Sequence, residues 1–298
     1  MNSKIIIGTW PLSGDYGKIE FEKIKNVLEY CYQNGIREFD TAPNYGNGSI
    51  ERNLGQIFGD KDEVLINTKM GNFPFNKKSY EIMDLKKSFE NSLKNLKRKS
   101  INTLFLHNPR TEISDYREVL DFMRELKENG LIRNIGLSKA KNFNYENFVN
   151  LDQFDVIQDD TNLLSLKSLN KPKENKIIFT ARSPLASGLL SGKITSKTIF
   201  PKEDHRSGWL NGKRLESLIK RIEAINKITD LELPELAMRF LFCHKDVDKI
   251  IFGIKTTEHV DSILINSRKD TLDNSLIKKL LDLYENDFGL IDESRYEY

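Results

Sequence analysis

The stretch "IREFDTAPNYGNGSIERNLGQIF", residues 36–58, predicts a short strand, a loop and a helix. Its first part, 36–40, is a compact apolar run that ends on Asp40, and 49–58 has the apolar spacing of a helix. A loop rich in Pro and Gly lies between them and holds Tyr45. A strand followed by a helix is the unit from which parallel sheets are built.

The same unit recurs along the whole chain. Short, branched apolar runs without clean alternation are typical of strands that are covered on both faces. Strands are predicted at 4–9, 36–40, 64–69, 102–107, 132–137, 155–158, 176–181 and 249–253. Helices are predicted at 19–34, 49–58, 81–98, 115–129, 143–150, 212–229, 235–244, 257–266 and 274–286.

Eight strands alternating with helices in a chain of 298 residues match the size of a closed (β/α)8 TIM barrel. We therefore predict an α/β fold with a single domain over 1–298. The main alternative is an open, doubly wound sheet, which usually has a glycine-rich phosphate turn after its first strand. The turn at 8–17, "GTWPLSGDYG", lacks the G-x-G-x-x-G pattern, and this favours the barrel.

Composition excludes several classes of protein. The net charge is +2 and no long block is basic, which argues against nucleic acid as a partner. Cys31 and Cys243 lie far apart in apolar helical contexts, so we expect buried reduced thiols and no disulfide framework. No stretch approaches the ~20 apolar residues of a membrane span, and the first residues do not resemble a signal peptide. We expect a soluble cytoplasmic protein without a metal site, and the oligomeric state stays open.

Polar residues stand at the predicted ends of the strands. A parallel barrel places the carboxyl ends of all its strands on one face, where the loops assemble a site. The polar residues at or just after these ends are Asp40, Lys69, His107, Ser138, Gln158, Arg182 with Ser183, and Lys255. The fold deduced from the apolar pattern alone therefore brings them together.

Three of these residues, Asp40, Lys69 and His107, together with Tyr45 suggest proton transfer. A lysine beside Tyr45 favours the phenolate and lowers the phenol pKa from about 10. Asp40 keeps Lys69 charged and oriented, and His107 can polarise a carbonyl oxygen or share its proton. The loop after Asp40 aims Tyr45 back over the mouth of the barrel.

Six segments carry a resemblance to the aldo-keto reductase superfamily, and they follow the order of that family over nearly the whole chain. They are "DTAPNYG" (40–46), "INTKMG" (66–71), "TLFLHNP" (103–109), "IRNIGLS" (132–138), "SPLASGLLSGK" (183–193) and 233–260. The resemblance implies a barrel that reduces aldehydes and ketones with NADPH and has no Rossmann domain. The expected cofactor is thus NADPH or NADP⁺, with NADH possible, and the expected partner is a small-molecule carbonyl substrate.

The resemblance also implies a role for each matching residue. Tyr45 matches the proton donor, Lys69 and Asp40 the pair that tunes it, and His107 the histidine that orients the substrate. Ser138 and Gln158 match positions that bind the nicotinamide carboxamide. The loop that straps the cofactor diphosphate matches Ser183, Leu185, Ser187, Gly188 and Leu189. The region that meets the adenosine 2′-phosphate contains Lys255, with Gly253, Glu258 and His259 nearby.

Some residues depart from the family pattern. Lys139 stands where many members have an asparagine, and Arg182 stands where many have an aromatic ring stacked on the nicotinamide. A planar guanidinium can stack there instead. We expect Trp10, Phe73 and Trp209 to line a substrate pocket, since such pockets are mostly apolar. The long irregular loop over 182–211 is also expected to be functional.

Two other functions remain as alternatives. One is a non-catalytic nicotinamide-binding sensor, similar to a channel subunit, on the same fold. The retained Asp40, Tyr45, Lys69 and His107 disfavour it, since a sensor does not need a proton donor. The other is a barrel enzyme that uses Lys69 as a Schiff base, which requires a neutral lysine that Asp40 would disfavour. The physiological substrate and the direction of the reaction stay open.

Overall fold

The structure is a computed structural model that describes residues 2–110, 113, 116–141, 144–145, 150–169, 177–290 and 298. Parallel strands form a closed barrel in chain order, and the last strand pairs back onto the first, with Ile5 in register with Ile250. The strands are β1 (Ile5–Gly8), β2 (Glu38–Asp40), β3 (Leu65–Met70), β4 (Ile101–His107), β5 (Ile132–Ser138), β6 (Val156–Asp160), β7 (Ile178–Arg182) and β8 (Lys249–Gly253). The predicted (β/α)8 barrel is confirmed.

Helices surround the barrel. In the described part of the chain they are α1 (Phe21–Gln33), α2 (Ser49–Phe58), α3 (Ile82–Leu96), α4 (Tyr116–Glu128), α5 (Gly212–Asn226), α6 (Leu233–Cys243), α7 (Thr257–Ser267) and α8 (Asn274–Glu285). They match the predicted helices to within a few residues. The helix predicted over 143–150 lies largely outside the described residues. Strand β6 runs two residues further than predicted, through Asp159 and Asp160. The prediction omitted these two residues because they are polar and do not continue the apolar run.

The helices pack on the barrel through the apolar stripes that the sequence predicts. In α1 the stripe at Ile24, Val27, Leu28 and Cys31 is buried. The stripe of α4, Val119, Leu120, Met123 and Leu126, is buried as well. Apolar residues at this spacing share one helical face, so burying them fixes how each helix lies against the strands.

An aromatic ring fills the barrel interior below His107. Phe105 of β4 lies in register with Gly136 of β5. A Cβ atom on Gly136 would lie 2.4 Å from Cδ1 of Phe105, so the ring occupies the space that a side chain would need. Phe105 lies two residues before His107, and side chains at this spacing in a strand share one face. The Phe105 ring therefore fills the space below His107.

The loop after β2 is a tight left-handed turn that follows Tyr45. Gly46, Asn47 and Gly48 have φ angles of 54°, 53° and 81°. A Cβ atom on Gly46 would lie 2.4 Å from Oγ of Ser49, where α2 begins. Glycine tolerates both the left-handed backbone and the close contact. The turn thus connects β2 to α2 within a few residues and leaves Tyr45 at the barrel mouth.

Three further features of the described residues concern the membrane, metal ions and thiols. No helix there is both long enough and apolar enough to span a membrane. Nor do three or more His, Cys, Asp or Glu side chains gather there as a metal site would require. Both cysteines are free thiols, and Cys31 is buried whereas Cys243 is partly exposed.

Candidate active site

The polar residues at the strand ends lie at one rim of the barrel. His107 of β4 pairs in register with Ser138 of β5, which pairs in turn with Gln158 of β6. Asp40 is the last residue of β2, and Lys69 is the penultimate residue of β3. Because all strands of the closed barrel are parallel, these residues form one polar layer.

Lys69 is buried in a short ion pair. Its side chain is 1% exposed, and Nζ donates to Oδ1 of Asp40 at 2.5 Å and to the main-chain oxygen of Thr41 at 2.7 Å. Burial by itself lowers the pKa of the ammonium group. Asp40 and the Tyr45 phenol outweigh burial, so the Lys69 pKa lies above its usual value. Lys69 is therefore charged at neutral pH, which is unsuited to Schiff-base formation.

The Tyr45 ring lies close to both Lys69 and His107. Nζ of Lys69 is 5.0 Å from the centre of the phenol ring, and the His107 ring lies 6.2 Å away at 81°. The expectation that the Tyr45 pKa falls below its usual value is wrong for this structure. Burial raises the pKa of the phenol, and the charges of Lys69 and Arg182 offset this only in part. Tyr45 therefore carries its proton at neutral pH.

His107 is a neutral imidazole in a dry position. Its residue is 5% exposed, and its Nδ1 atom is buried without a hydrogen-bond partner among the described residues. Burial lowers the pKa of the ring well below its usual value, and the cations of Lys69 and Arg182 lower it further. A buried nitrogen without a partner beside a phenol is suited to receive a polar group of a ligand.

A continuous set of hydrogen bonds crosses the rim. Nη1 of Arg182 donates to Oγ of Ser138 at 2.8 Å, and that hydroxyl donates to Oε1 of Gln158 at 3.0 Å. Nε2 of Gln158 then donates to Oδ2 of Asp40 at 3.0 Å. The other oxygen of Asp40 accepts from Lys69. The residues predicted to bind the nicotinamide carboxamide are thus joined directly to the ion pair near Tyr45.

Arg182 is fixed by a carboxylate whose role the sequence analysis did not predict. Its Nε and Nη2 atoms donate to the two oxygens of Asp160 at 3.2 and 3.3 Å. Further bonds join Arg182 to the side chain of Asn108 and the main-chain oxygen of Lys139. Asp160 follows Gln158 by two residues in β6, so the period of a strand places both on one face. That spacing was the signal available in the sequence.

The strap, defined here as residues 183–189, follows β7 with an unusual backbone. Ser183, Ala186 and Ser187 have φ angles of 56°, 49° and 52°, all in the left-handed region. Among the described residues, the backbone amides of Leu185 and Ser187 donate no hydrogen bond. Leu185 has a φ of −101° and is followed by the left-handed Ala186, and a change of this kind points successive N–H groups to one concave side, where they bind anions. The strap is therefore suited to a diphosphate.

The residues expected near the 2′-phosphate lie together where β8 leads into α7. Lys255 donates from Nζ to the main-chain oxygen of Tyr16 at 2.5 Å, and its own amide donates to Nδ1 of His259 at 3.2 Å. Burial and the nearby Arg206 lower the pKa of Lys255. Gly253 ends β8, and Glu258 is exposed in the first turn of α7.

Two of the three residues predicted for the substrate pocket belong to a chain of aromatic rings. The Trp10 ring stacks on Tyr45 with centres 6.4 Å apart, and it meets the rings of His205 at 4.8 Å and Tyr16 at 5.3 Å, both edge-on. His205 in turn contacts the Trp209 ring at 5.8 Å. Phe73 lies in the loop after β3, where Nζ of Lys77 is 5.9 Å from its ring.

The long loop over 182–211 folds against the loop that follows β1. The amide of His205 donates to the main-chain oxygen of Asp15 at 2.9 Å. Arg206 donates from Nη1 to the main-chain oxygen of Ser187 at 3.1 Å, which joins the loop to the strap. This docking links parts of the chain that are distant in sequence, and local patterns in the sequence did not predict it.

Comparison with known proteins agrees with this fold. The profile of the aldo/keto reductase family matches residues 4–285. Aldo-keto reductase YhdN of Bacillus subtilis is 25% identical over 278 residues, which cover 88% of this chain and 84% of that protein. The NADH-specific methylglyoxal reductase of Escherichia coli is 22% identical, with 95% of this chain and 96% of that protein covered.

A solved structure supports the same architecture. The glycerol dehydrogenase AKR11B4 from Gluconobacter oxydans superposes with a TM-score of 0.79 at 20% identity, over 99% of this chain and 94% of that chain. The barrel, the family match and the reductases among its relatives make this protein an oxidoreductase. The chain belongs to the aldo/keto reductase family, whose members use nicotinamide cofactors.

Proposed function

We propose that this protein reduces an aldehyde or ketone to an alcohol with NADPH. The observation that carries the proposal is the position of Tyr45. Its neutral phenol lies 5.0 Å, measured to the ring centre, from the buried ammonium of Lys69 and 6.2 Å from the ring of His107. A proton donor, a fixed cation and a neutral imidazole at one point suit the conversion of a carbonyl oxygen into a hydroxyl.

Each residue has a distinct part in this reaction. Bound NADPH supplies the hydride to the carbonyl carbon. Tyr45 gives its proton to the carbonyl oxygen, and His107 holds that oxygen by a hydrogen bond. Lys69 stabilises the phenolate that Tyr45 becomes, and Asp40 holds Lys69 in place through the 2.5 Å contact. Preorganised groups of this kind do not have to reorient as charge develops on the oxygen.

The floor for the nicotinamide ring would be provided by Arg182. Asp160 fixes the plane of the guanidinium through two contacts of 3.2 and 3.3 Å. Ser138 and Gln158 border the same place and would bind the carboxamide. A guanidinium held flat by several acceptors is a suitable stacking surface for a planar ring.

The strap would bind the diphosphate of the cofactor. The amides of Leu185 and Ser187, which donate no hydrogen bond to the described residues, support this assignment. Gly188 and Leu189 continue the strap, with Leu189 packed in the core. Lys255 would meet the 2′-phosphate of NADPH, since an ammonium is a suitable partner for a phosphate. NADH, which lacks this phosphate, is the alternative cofactor.

The substrate is proposed to be a small carbonyl compound that enters beside the aromatic rings at the barrel mouth. Trp10 lies against Tyr45, and His205 connects Trp10 to Trp209. Apolar walls with a few polar groups are typical of small-molecule sites. Phe73 would line the substrate pocket from the loop after β3.

The proposal is tested by turnover and binding in parallel. Purified protein is mixed with NADPH and a panel of aldehydes, aryl ketones, keto sugars and pyridoxal, and NADPH absorbance is followed. Tyr45→Phe is expected to lose turnover by about 10²- to 10⁴-fold while binding NADPH almost normally, as judged by fluorescence. Tyr32→Phe, which removes a phenol bonded to Glu63 away from the site, is the matched control.

Two results would decide against the proposal. Normal rates in Tyr45→Phe on every accepted carbonyl would show that this phenol is not the proton donor. Tight NADPH binding by the unaltered protein without turnover of any carbonyl would favour the sensor alternative. Failure to bind any nicotinamide cofactor would exclude both functions.

A further inference from the structure

Tyr298 lies in the proposed cofactor site although it is far in sequence from the other residues there. It is 5% exposed, and a hydrogen bond of 2.7 Å joins its hydroxyl to Oγ of Ser187 in the strap. Burial raises the pKa of the phenol, so the hydroxyl stays protonated and can donate or accept. Tyr298 thus contacts the side chain of a residue whose amide is free to bind a diphosphate.

The ring of Tyr298 also joins two other loops. Nζ of Lys141, which lies just after β5, is 4.0 Å from the centre of the ring. The ring of Trp209, in the long loop after β7, meets it at 6.1 Å and 63°. Cation–π and edge-to-face contacts of this geometry are attractive. One side chain therefore connects the β5 loop with two parts of the long loop, the strap and Trp209.

The strap is held from a second side as well. Arg206 donates to the main-chain oxygen of Ser187, and a 2.6 Å ion pair fixes Arg206 on Asp204. Ser187 is thus bonded at its carbonyl by Arg206 and at its hydroxyl by Tyr298. Its backbone amide is left without a hydrogen bond to the described residues.

We infer that Tyr298 is a positioning residue that pins the strap over the bound cofactor and slows cofactor release. The inference rests on the proposed function, because it takes the strap as the diphosphate site. The phenol uses the hydroxyl of Ser187 and leaves the amides of Leu185 and Ser187 to the diphosphate. Tyr298 can therefore hold the strap while the cofactor is bound, and its ring does not compete with the cofactor for the strap amides. We call this role a clasp.

The test measures the rate of NADPH release after rapid mixing of the complex with excess NADP⁺. Tyr298→Phe keeps the ring and loses the hydroxyl, so release is expected to accelerate about 2- to 12-fold. Tyr298→Ala also loses the contacts with Lys141 and Trp209, and release is expected to accelerate at least about tenfold. The rate of NADPH association is expected to change little in both variants.

Two further measurements separate a clasp from a general structural role. In a Ser187→Ala background the hydroxyl of Tyr298 has lost its bond to residue 187 and keeps only its hydrogen bond with the Ser183 side chain, so Tyr298→Phe is expected to accelerate release less than it does with Ser187 in place. Tyr32→Phe, a phenol deletion outside the site, is expected to release NADPH at the normal rate. Thermal unfolding of each cofactor-free variant checks that the fold is intact.

The inference is overturned if both Tyr298 variants release NADPH at the normal rate. It is equally overturned if Tyr298→Ala binds NADPH more tightly, because the ring would then compete with the cofactor. Either result leaves the proposed reduction standing, since the unaltered protein would still bind NADPH and turn over a carbonyl. Loss of cofactor binding or of all turnover in the unaltered protein marks failure of the proposed function instead.

Discussion

Nε2 of Gln158 donates a hydrogen bond of 3.0 Å to Oδ2 of Asp40, and this bond joins β6 to β2 across the barrel mouth. The same amide accepts from Ser138 through its oxygen. Gln158 therefore lies between the proposed nicotinamide site and the ion pair that holds Lys69. Changes on the cofactor side have a direct structural route to the charge beside Tyr45.

Gln158→Met tests this connection. The substitution keeps the length of the side chain and removes its bond to the Asp40 carboxylate. Bonds to charged groups contribute about 1.5–3 kcal/mol, so kcat at saturating NADPH is expected to fall about 10- to 100-fold. Gln153→Met, at an exposed glutamine just before β6, is the control. An unchanged kcat would show that Asp40 does not depend on this bond.

Variants of the Lys69–Asp40 pair distinguish its contribution to stability from its contribution to catalysis. Lys69→Met leaves the Asp40 carboxylate buried without its cation, which is expected to lower the free energy of unfolding by about 3–5 kcal/mol. Turnover is expected to fall by about 10²- to 10⁴-fold, because Tyr45 loses the cation that stabilises its phenolate. Denaturant unfolding and steady-state rates measure the two effects.

The double variant Asp40→Asn with Lys69→Met removes both charges. Most of the lost stability is expected to return, since no unpaired charge remains buried. Turnover is expected to stay low. Recovery of normal turnover in the double variant would mean that the pair serves only the fold.

The sequence predicted the barrel because each strand is covered on both faces. The resulting short apolar runs, such as 102–107 in β4, are local signals that a single sequence displays directly. The rim was predictable for a related reason. Once the strands are placed, Asp40, Lys69 and His107 stand at or next to their carboxyl ends, and the parallel topology brings these ends together.

The rest depends on contacts between residues that are distant in sequence. The pair of Arg182 with Asp160 and the bond of Tyr298 to Ser187 span 22 and 111 positions. The strand period places Asp160 on the same face as Gln158, but it does not identify Arg182 as the partner. The sequence did not predict that the Tyr45 pKa is raised from its usual value, because this shift depends on burial. A neighbouring cation can be inferred from strand order, whereas the loss of water around the phenol depends on the packed loops.

Lys255 makes the choice between the two nicotinamide cofactors testable. Lys255→Ala is expected to raise the dissociation constant of NADPH by about tenfold and that of NADH much less, because only NADPH has the 2′-phosphate. Lys255 also bonds to the main-chain oxygen of Tyr16, so its loss can affect the β1 loop. Lys255→Arg, which retains the positive charge, is the matched variant. Fluorescence titrations with both cofactors measure the effect, and equal losses for NADPH and NADH would contradict the assignment.

Stability is expected to fall as the pH is lowered below about 6.5, the usual pKa of histidine. Burial is the largest cause that lowers the pKa values of His107 and His244. Between each lowered pKa and the usual one, the unfolded chain binds a proton that the folded chain does not, so acid favours unfolding. His107→Gln is expected to flatten this dependence more than His244→Gln, because His107 is the more buried ring. Denaturant unfolding at a series of pH values measures it, and identical slopes in both variants would show that His107 is not held neutral by the fold.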